Sequence, residues 1–109
     1  MTEIVAVVVT PDGTQIGGGL GRASHLAVGR IDEGAITDWQ IFGVQWDVLH
    51  DEGPHGTHHG RIVRFMQEHG VNRVVAAHIG PPMQNTLTKL GLALTMGVEG
   101  DARAAAVGA

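Results

Sequence analysis

The chain has 109 residues, seven histidines, no cysteine and a formal net charge of -4 with the histidines neutral. This length predicts one domain that spans residues 1–109. Because the sequence lacks cysteine, it excludes disulfides and thiolate metal ligands, and a metal site must use histidine, carboxylate or backbone oxygen. The net negative charge disfavours binding to the phosphate backbone of nucleic acids.

The first predicted strand is the apolar run IVAVVV, residues 4–9. A run of β-branched residues without polar alternation is typical of a strand buried on both faces, which places it in the centre of a sheet beside parallel neighbours. The run is far shorter than the ~20 residues that cross a bilayer, and no basic segment precedes it as in a signal peptide. We therefore expect a cytoplasmic protein that does not bind membranes.

Two further predicted strands, residues 25–31 and 36–46, form a hairpin across the turn sequence DEG. Trp39 and Phe42 have opposite parity in the second strand, so a regular strand cannot bury both of them on one face. We therefore expect a bulge or bend near Gly43.

The second half of the chain alternates helices with strands. Glycines at the ends of the first two helices suit left-handed caps, and Asp101 suits the N-cap of the last helix. The predicted order is β-β-β-α-β-α-β-α, which indicates an α/β fold. The predicted elements are a helix over residues 57–70, a strand over 71–79, a helix over 81–91 that buries Met83, Leu87 and Leu90, a strand over 92–98 and a C-terminal helix.

A glycine loop, residues 17–22, follows the first strand, and the turn HIGPP, residues 78–82, follows the other buried strand. Loops at the carboxyl ends of parallel strands converge at one edge of a sheet, so we expect these segments and the amino end of the first helix to meet there. Arg22 and the loop N–H groups suit an anion, and His78 offers an imidazole. From the residues alone, the glycine loop is equally consistent with an anion cradle and an ordinary turn.

Three histidines lie within HGTHHG, residues 55–60. Helix positions three and four residues apart are neighbours, and two or three imidazoles with open coordination positions would suit zinc, nickel, copper or iron. The competing interpretation is a solvated helix start, because Pro54 and the glycines place His55 in the preceding loop. Both interpretations stay open at this point.

Three segments of the sequence together resemble a known family: GLGRASHLAV at residues 19–28, HGTHHGRIVRFMQEHGVNRVVAAHIGP at 55–81 and LTKLGLALTMGVEG at 87–100. The family is that of the dinitrogenase iron-molybdenum cofactor-binding proteins, which includes nitrogenase accessory proteins that carry or store the cofactor or its precursors. The resemblance extends over residues 3–106. It implies a ribonuclease H-like three-layer α/β fold with a mixed five-stranded sheet flanked by helices. It does not imply nuclease activity, since the first strand offers no carboxylate for catalytic metal ions.

The resemblance also implies a ligand pocket between the Gly-Arg loop and the Ile-Gly-Pro turn. An anionic metal-sulfur cluster would be held there by Arg22, backbone N–H groups and one histidine. The sequence departs from the family pattern at Gly19-Leu20, where members often have His-Phe, and at Pro82-Met83, where they often have Asn-Ala. The residues that match the recurring pattern are Gly21, Arg22, His78, Gly80 and Pro81.

We predict a non-enzymatic binding or carrier protein for an iron-molybdenum or iron-sulfur type cluster or its precursor, which is a monomer or homodimer and delivers the cluster to a protein partner. One alternative is a histidine-based divalent-metal binding protein, a metallochaperone or sensor. Another is a regulatory protein-interaction domain that uses the acidic hairpin. An enzyme is the weakest alternative, because no paired carboxylate or activated nucleophile supports it. The predicted metal ligands are His55, His58, His59 and His78.

Overall fold

A computed structural model describes residues 2–49 and 57–108. Their elements follow the predicted order, except that a single 3₁₀ turn and a short helix are added. The elements are β1 (Thr2–Val9), the 3₁₀ turn (Leu20–Arg22), β2 (His25–Asp32), β3 (Ala35–Gly43), α1 (Trp46–Leu49), α2 (Thr57–Glu68), β4 (Arg73–Val75), α3 (Pro81–Lys89), β5 (Ala93–Thr95) and α4 (Ala102–Gly108).

The strands form one mixed sheet in the order β3-β2-β1-β4-β5. β1 pairs in parallel with β4, and β4 pairs in parallel with β5. β2 runs antiparallel to both β1 and β3. The structure therefore confirms the predicted five-stranded mixed α/β architecture, with the first apolar run at its centre beside a parallel neighbour.

Helices cover both faces of the sheet because β1 is apolar on both sides. Val8 lies in one buried cluster with Ile62 of α2 and Leu87 of α3. Val7 lies in a second buried cluster with Ala106 of α4. Each fully buried valine contributes about 1.5–3 kcal/mol to the hydrophobic stabilisation of this three-layer core. Among the helices of the described residues, none has the length and apolarity needed to span a membrane.

The end of the hairpin differs from the prediction. β3 ends at Gly43, and Trp46 begins α1 where the sequence predicts a continuing strand. The predicted bulge or bend near Gly43 is present only as a bend, because the strand stops at Gly43 and Gln45 turns the chain with a φ of 56°. The irregular register lies elsewhere, between Arg30 and Ile31 of the partner strand. Phe42 contacts Phe65 of α2 and His69, whereas Trp39 packs toward α4, so these two aromatic residues face opposite layers of helices.

The helix ends are predicted more accurately than the strand ends. Gly70 and Gly91 have φ values of 63° and 85°, as left-handed caps require. The Asp101 side chain accepts a hydrogen bond of 2.9 Å from the Ala104 N–H, which confirms the predicted N-cap. Leu90 is 41% exposed because α3 ends before it, so the prediction that Leu90 is buried is wrong.

Candidate functional site

The glycine loop is held tightly at both of its ends. A Cβ atom on Gly17 would lie 2.4 Å from the carbonyl oxygen of Val9, so only glycine fits this close approach to the end of β1. Gly18 has a φ of 107°, which disfavours any side chain. Leu20 is fully buried and anchors the 3₁₀ turn in the core. The loop is therefore a defined structure that carries Gly21 and Arg22 to the surface.

The same loop pairs with the chain that follows β4. The Leu20 N–H donates to the His78 carbonyl at 2.9 Å, and the Ala77 N–H donates to the Gly18 carbonyl at 3.0 Å. Gly19 and His78 form a parallel bridge. The predicted convergence of the glycine loop with the turn at residues 78–82 is confirmed.

The amino end of α2 joins this edge through His58. Its Nε2 atom lies 2.7 Å from the Gly21 carbonyl oxygen, and its Nδ1 atom lies 2.8 Å from Nη1 of Arg61. A guanidinium only donates hydrogen bonds, so Nδ1 accepts and the proton of the ring sits on Nε2, which donates to Gly21. The ring of Trp46 packs against the imidazole in a T-shaped arrangement, with the ring centroids 6.0 Å apart. Both ring nitrogens of His58 are thus within hydrogen-bond distance of protein atoms.

The turn after His78 leads directly into α3. Gly80 is the N-cap residue, with extended φ and ψ, and Pro81 and Pro82 occupy the first two helical positions. Prolines have no N–H, so two of the four N–H groups that a helix start normally leaves unpaired are missing here. The Gln84 side chain donates to the Ile79 carbonyl at 2.7 Å and stiffens the turn. Gly80 and Pro81 therefore shape this edge and supply few donors to an anion.

Two side chains at this edge are available to a ligand. Arg22 and His78 are both exposed. Within the described ranges, the Arg22 guanidinium has no hydrogen-bond or ion-pair partner. The backbone N–H groups of Gly18 and Gly19 likewise have no backbone acceptor there. One cation, one imidazole and two N–H donors suit an anion with at least one metal atom open to nitrogen.

The histidine cluster is less compact than its spacing suggests. His59 is exposed, and His55 lies outside the described residues. Over residues 2–49 and 57–108, no three His, Asp or Glu side chains are grouped so that they could hold a metal ion. To bind a metal, His58 would have to give up a hydrogen bond to Arg61 or to Gly21. The assignment of metal ligands stays a prediction for His55, His58, His59 and His78.

A carboxylate turn stabilises the chain just before the glycine loop. The Asp12 side chain accepts hydrogen bonds from the Thr10 hydroxyl at 2.6 Å and from the Thr14 N–H at 3.1 Å. The Thr10 hydroxyl, followed by the Thr14 N–H, lowers the pKa of the Asp12 carboxyl below its ordinary value. The charged Asp12 carboxylate therefore stabilises the turn between Thr10 and Thr14.

Sequence reasoning missed the role of Arg61. Its Nη1 atom donates to His58 and also to the Leu49 carbonyl at 3.2 Å, which ties α1 and α2 to the glycine loop. The separation of three residues between His58 and Arg61 on a helix is the one signal that points to their contact. The contact of His58 with Gly21 bridges 37 positions and has no local signal.

The chain is similar to one protein family and to solved structures. A family model described as dinitrogenase iron-molybdenum cofactor matches residues 2–109. A search of curated proteins finds no match. The crystal structure of PH0822 is similar, with 20% identity, a TM-score of 0.72 and coverage of 95% of this chain and 85% of that one. A Methanocaldococcus jannaschii protein described as a candidate dinitrogenase is similar with 16% identity, a TM-score of 0.65 and coverage of 93% and 80%. At these identities, both structures show a shared fold.

Proposed function

Because the chain belongs to the dinitrogenase iron-molybdenum cofactor family, we propose that it is a non-enzymatic binding or carrier protein for an iron-molybdenum or iron-sulfur type cluster or a precursor of one. One observation carries the proposal. The glycine loop, the chain after β4 and the start of α2 meet at one edge, through the hydrogen bonds of Leu20 to His78 and of His58 to Gly21. At that edge Arg22 and His78 are exposed.

The chemistry of these groups supports temporary binding of an anionic cluster. Arg22 would pair with its negative charge, the N–H groups of Gly18 and Gly19 would donate to its sulfur atoms, and His78 would ligate one metal atom. The chain has no cysteine, so no thiolate would hold the cluster permanently. A cargo held by one imidazole and several hydrogen bonds is released more easily than one held by four thiolates.

Several finer assignments belong to the same proposal. The order β3-β2-β1-β4-β5 with the single reversed strand β2 supports a ribonuclease H-like classification. We place the protein in the cytoplasm as a monomer or homodimer that passes its cluster to a protein partner. The groups at the edge would bind and orient an anion without taking part in a catalytic step.

The test is elemental analysis with absorption spectroscopy on protein purified without oxygen and without an affinity tag. We expect iron with sulfide, or molybdenum, in the wild type, and loss of both in His78→Ala and Arg22→Ala. Lys89→Ala is the matched control, because it removes an exposed cation at the far end of α3 and should keep the cluster.

Two results would contradict the carrier function. Zinc or nickel alone, lost only in the double variant His58→Ala/His59→Ala, would favour the divalent-metal binding protein. A wild type that stays empty after anaerobic reconstitution with iron, sulfide and molybdate would leave the protein without a cluster-binding role.

A further inference from the structure

Hydrogen bonds form an unbroken path from α1 through α2 to the glycine loop. Arg61 donates from Nη1 to the Leu49 carbonyl and to His58, and His58 donates to the Gly21 carbonyl. The next residue after Gly21 is Arg22, the exposed cation of the candidate site. The path therefore ends one peptide unit from the group that would meet an anionic ligand.

The imidazole of His58 is fixed in place and in tautomer. Arg61 on one side can only donate, and the Gly21 carbonyl on the other can only accept, so these two contacts favour the tautomer that carries its proton on Nε2. The ring of Trp46, which is 2% exposed, packs against the imidazole at nearly a right angle. Because both nitrogens of this ring are in contact with the protein, the ring cannot move without breaking one of these contacts. A shift of Arg61 would therefore also shift the group that contacts Gly21.

The Gly21 carbonyl needs this donor. It lies in the last part of the 3₁₀ turn, where carbonyl groups run out of partners within the turn. The Ala23 N–H already donates to the Leu20 carbonyl. His58 supplies the donor from a different element, so the orientation of the peptide between Gly21 and Arg22 depends on α2.

We propose that His58 and Arg61 are positioning residues for Arg22, and that His58 is not a metal ligand. This inference rests on the proposed function, because it assigns a role at the same site. A metal on Nε2 would take the place of the Gly21 carbonyl, and a metal on Nδ1 would bring its positive charge against the Arg61 guanidinium. His58 contributes by aiming Arg22 at the ligand, and the neighbouring His59 takes no part in this path.

The first experiment examines the protein without ligand. In ¹⁵N NMR spectra of the imidazole side chains, His58 should appear as a neutral ring protonated on Nε2 and unprotonated on Nδ1. The ¹³C chemical shift of the Gly21 carbonyl responds to the hydrogen bond that it accepts, so it should move in His58→Ala and Arg61→Ala. It should stay near the wild-type value in His58→Gln, whose side-chain amide can still donate to the Gly21 carbonyl.

The second experiment measures binding of tetrathiomolybdate, a small molybdenum-sulfur anion, by absorption titration. Loss of a residue that orients a binding group typically weakens affinity about 10-fold to 100-fold, and we expect this range for His58→Ala and Arg61→Ala. His58→Gln should bind nearly as tightly as the wild type, because its amide keeps the hydrogen bond to Gly21. Arg64→Ala is the matched control for Arg61→Ala, because both remove a cation from α2 and the Arg64 side chain is exposed.

The outcomes separate the inference from the proposed function. If His58→Gln binds as weakly as His58→Ala while both stay folded, the imidazole itself is needed as a ligand and the positioning role is overturned. If Arg64→Ala weakens anion binding as much as Arg61→Ala does, the loss comes from the lower net charge of α2. The positioning role is then overturned as well. If the wild type fails to bind the anion but the Gly21 carbonyl shifts change as expected, the positioning role stands and the cluster-binding function fails.

Discussion

Two arginines at opposite ends of the sheet illustrate how differently one residue type is used. Arg73 begins β4 and is buried, and its guanidinium donates to Glu3, Thr95 and the Ala106 carbonyl. Arg22 ends the 3₁₀ turn at the other edge and is exposed, and within the described chain its guanidinium has no partner.

The difference separates a structural arginine from one that is available to a ligand. The contacts of Arg73 join β1, β5 and α4, so its hydrogen bonds hold the sheet and the last helix together. Arg22 is exposed on a loop that pairs with the chain after β4 and contacts the start of α2. A guanidinium that the fold leaves without partners, on a loop that the fold holds in place, is suited to binding an anion.

The largest effect should follow from Arg73→Ala. The change leaves the Ala106 carbonyl and the Glu3 carboxylate without their donor, and we expect the free energy of unfolding to fall by about 2–4 kcal/mol. The value lies below that of a fully buried ion pair because the Glu3 side chain is 40% exposed. Urea unfolding of the wild type and the variant measures it.

A second variant sharpens this result. Arg73→Lys keeps the charge beside Glu3 but loses the planar fork, so it should lie between the wild type and Arg73→Ala. If Arg73→Ala unfolds with the same midpoint as the wild type, the guanidinium does not hold the layers together and the contrast with Arg22 disappears.

The next effect concerns the loop that carries Arg22. In Gly17→Ala the new Cβ would lie 2.4 Å from a backbone oxygen of β1, which cannot move aside easily. We expect a loss of about 1–3 kcal/mol in the free energy of unfolding, as for an overpacked core position. Gly21→Ala is the control in the same loop, because its Cβ would meet no atom within 4 Å. Equal losses in both variants would show that the loop is not held by its contact with β1.

The fold was largely predictable because its signals are local. The β-branched run of β1, the glycines after α2 and α3 and the cap at Asp101 each act within a few residues. α1 was not predictable, since it depends on contacts with a distant segment. The Trp46 N–H donates to the Ala23 carbonyl at 2.9 Å, and Gln45 adopts a φ of 56° to allow it. A Trp in an alternating apolar pattern otherwise indicates a strand.

The location of the candidate site could be predicted from the sequence, but the hydrogen-bond partners of its residues could be predicted only in part. Sheet topology alone brings the glycine loop to His78, because both leave the carboxyl ends of neighbouring parallel strands. The histidine spacing suggested a metal site, yet His58 is engaged by Gly21 and Arg61. Its hydrogen-bond partners depend on the packing of α2 against the loop, which no spacing in the sequence encodes.

A small effect on stability should follow from Arg22→Ala. An exposed side chain without contacts in the described residues contributes little, so the free energy of unfolding should change by less than about 0.5 kcal/mol. Thermal unfolding followed by circular dichroism measures this change, and the same protein serves in the cluster-binding test. A larger loss would reveal that Arg22 has a structural partner and would place it in the same class as Arg73.

The smallest effect is expected from Asp12, which stabilises the chain before the glycine loop. Hydrogen bonds from the Thr10 hydroxyl and then the Thr14 N–H lower the pKa of its carboxyl. A pKa that is lower in the folded protein contributes stability above the ordinary value of about 3.9, and this contribution is lost as the pH falls through the folded value.

Asp12→Asn removes the ionisation and keeps a side chain of the same shape. The difference in unfolding free energy between the wild type and this variant should therefore be constant near neutral pH and shrink below about pH 4. Asp32 is the matched comparison at the opposite edge, where hydrogen bonds from Thr2, then Thr37, lower the pKa of its carboxyl. Carboxyl ¹³C titration should give midpoints below the ordinary value for both residues. A normal midpoint for Asp12 alone would mean that its turn opens in solution and that the glycine loop is held without it.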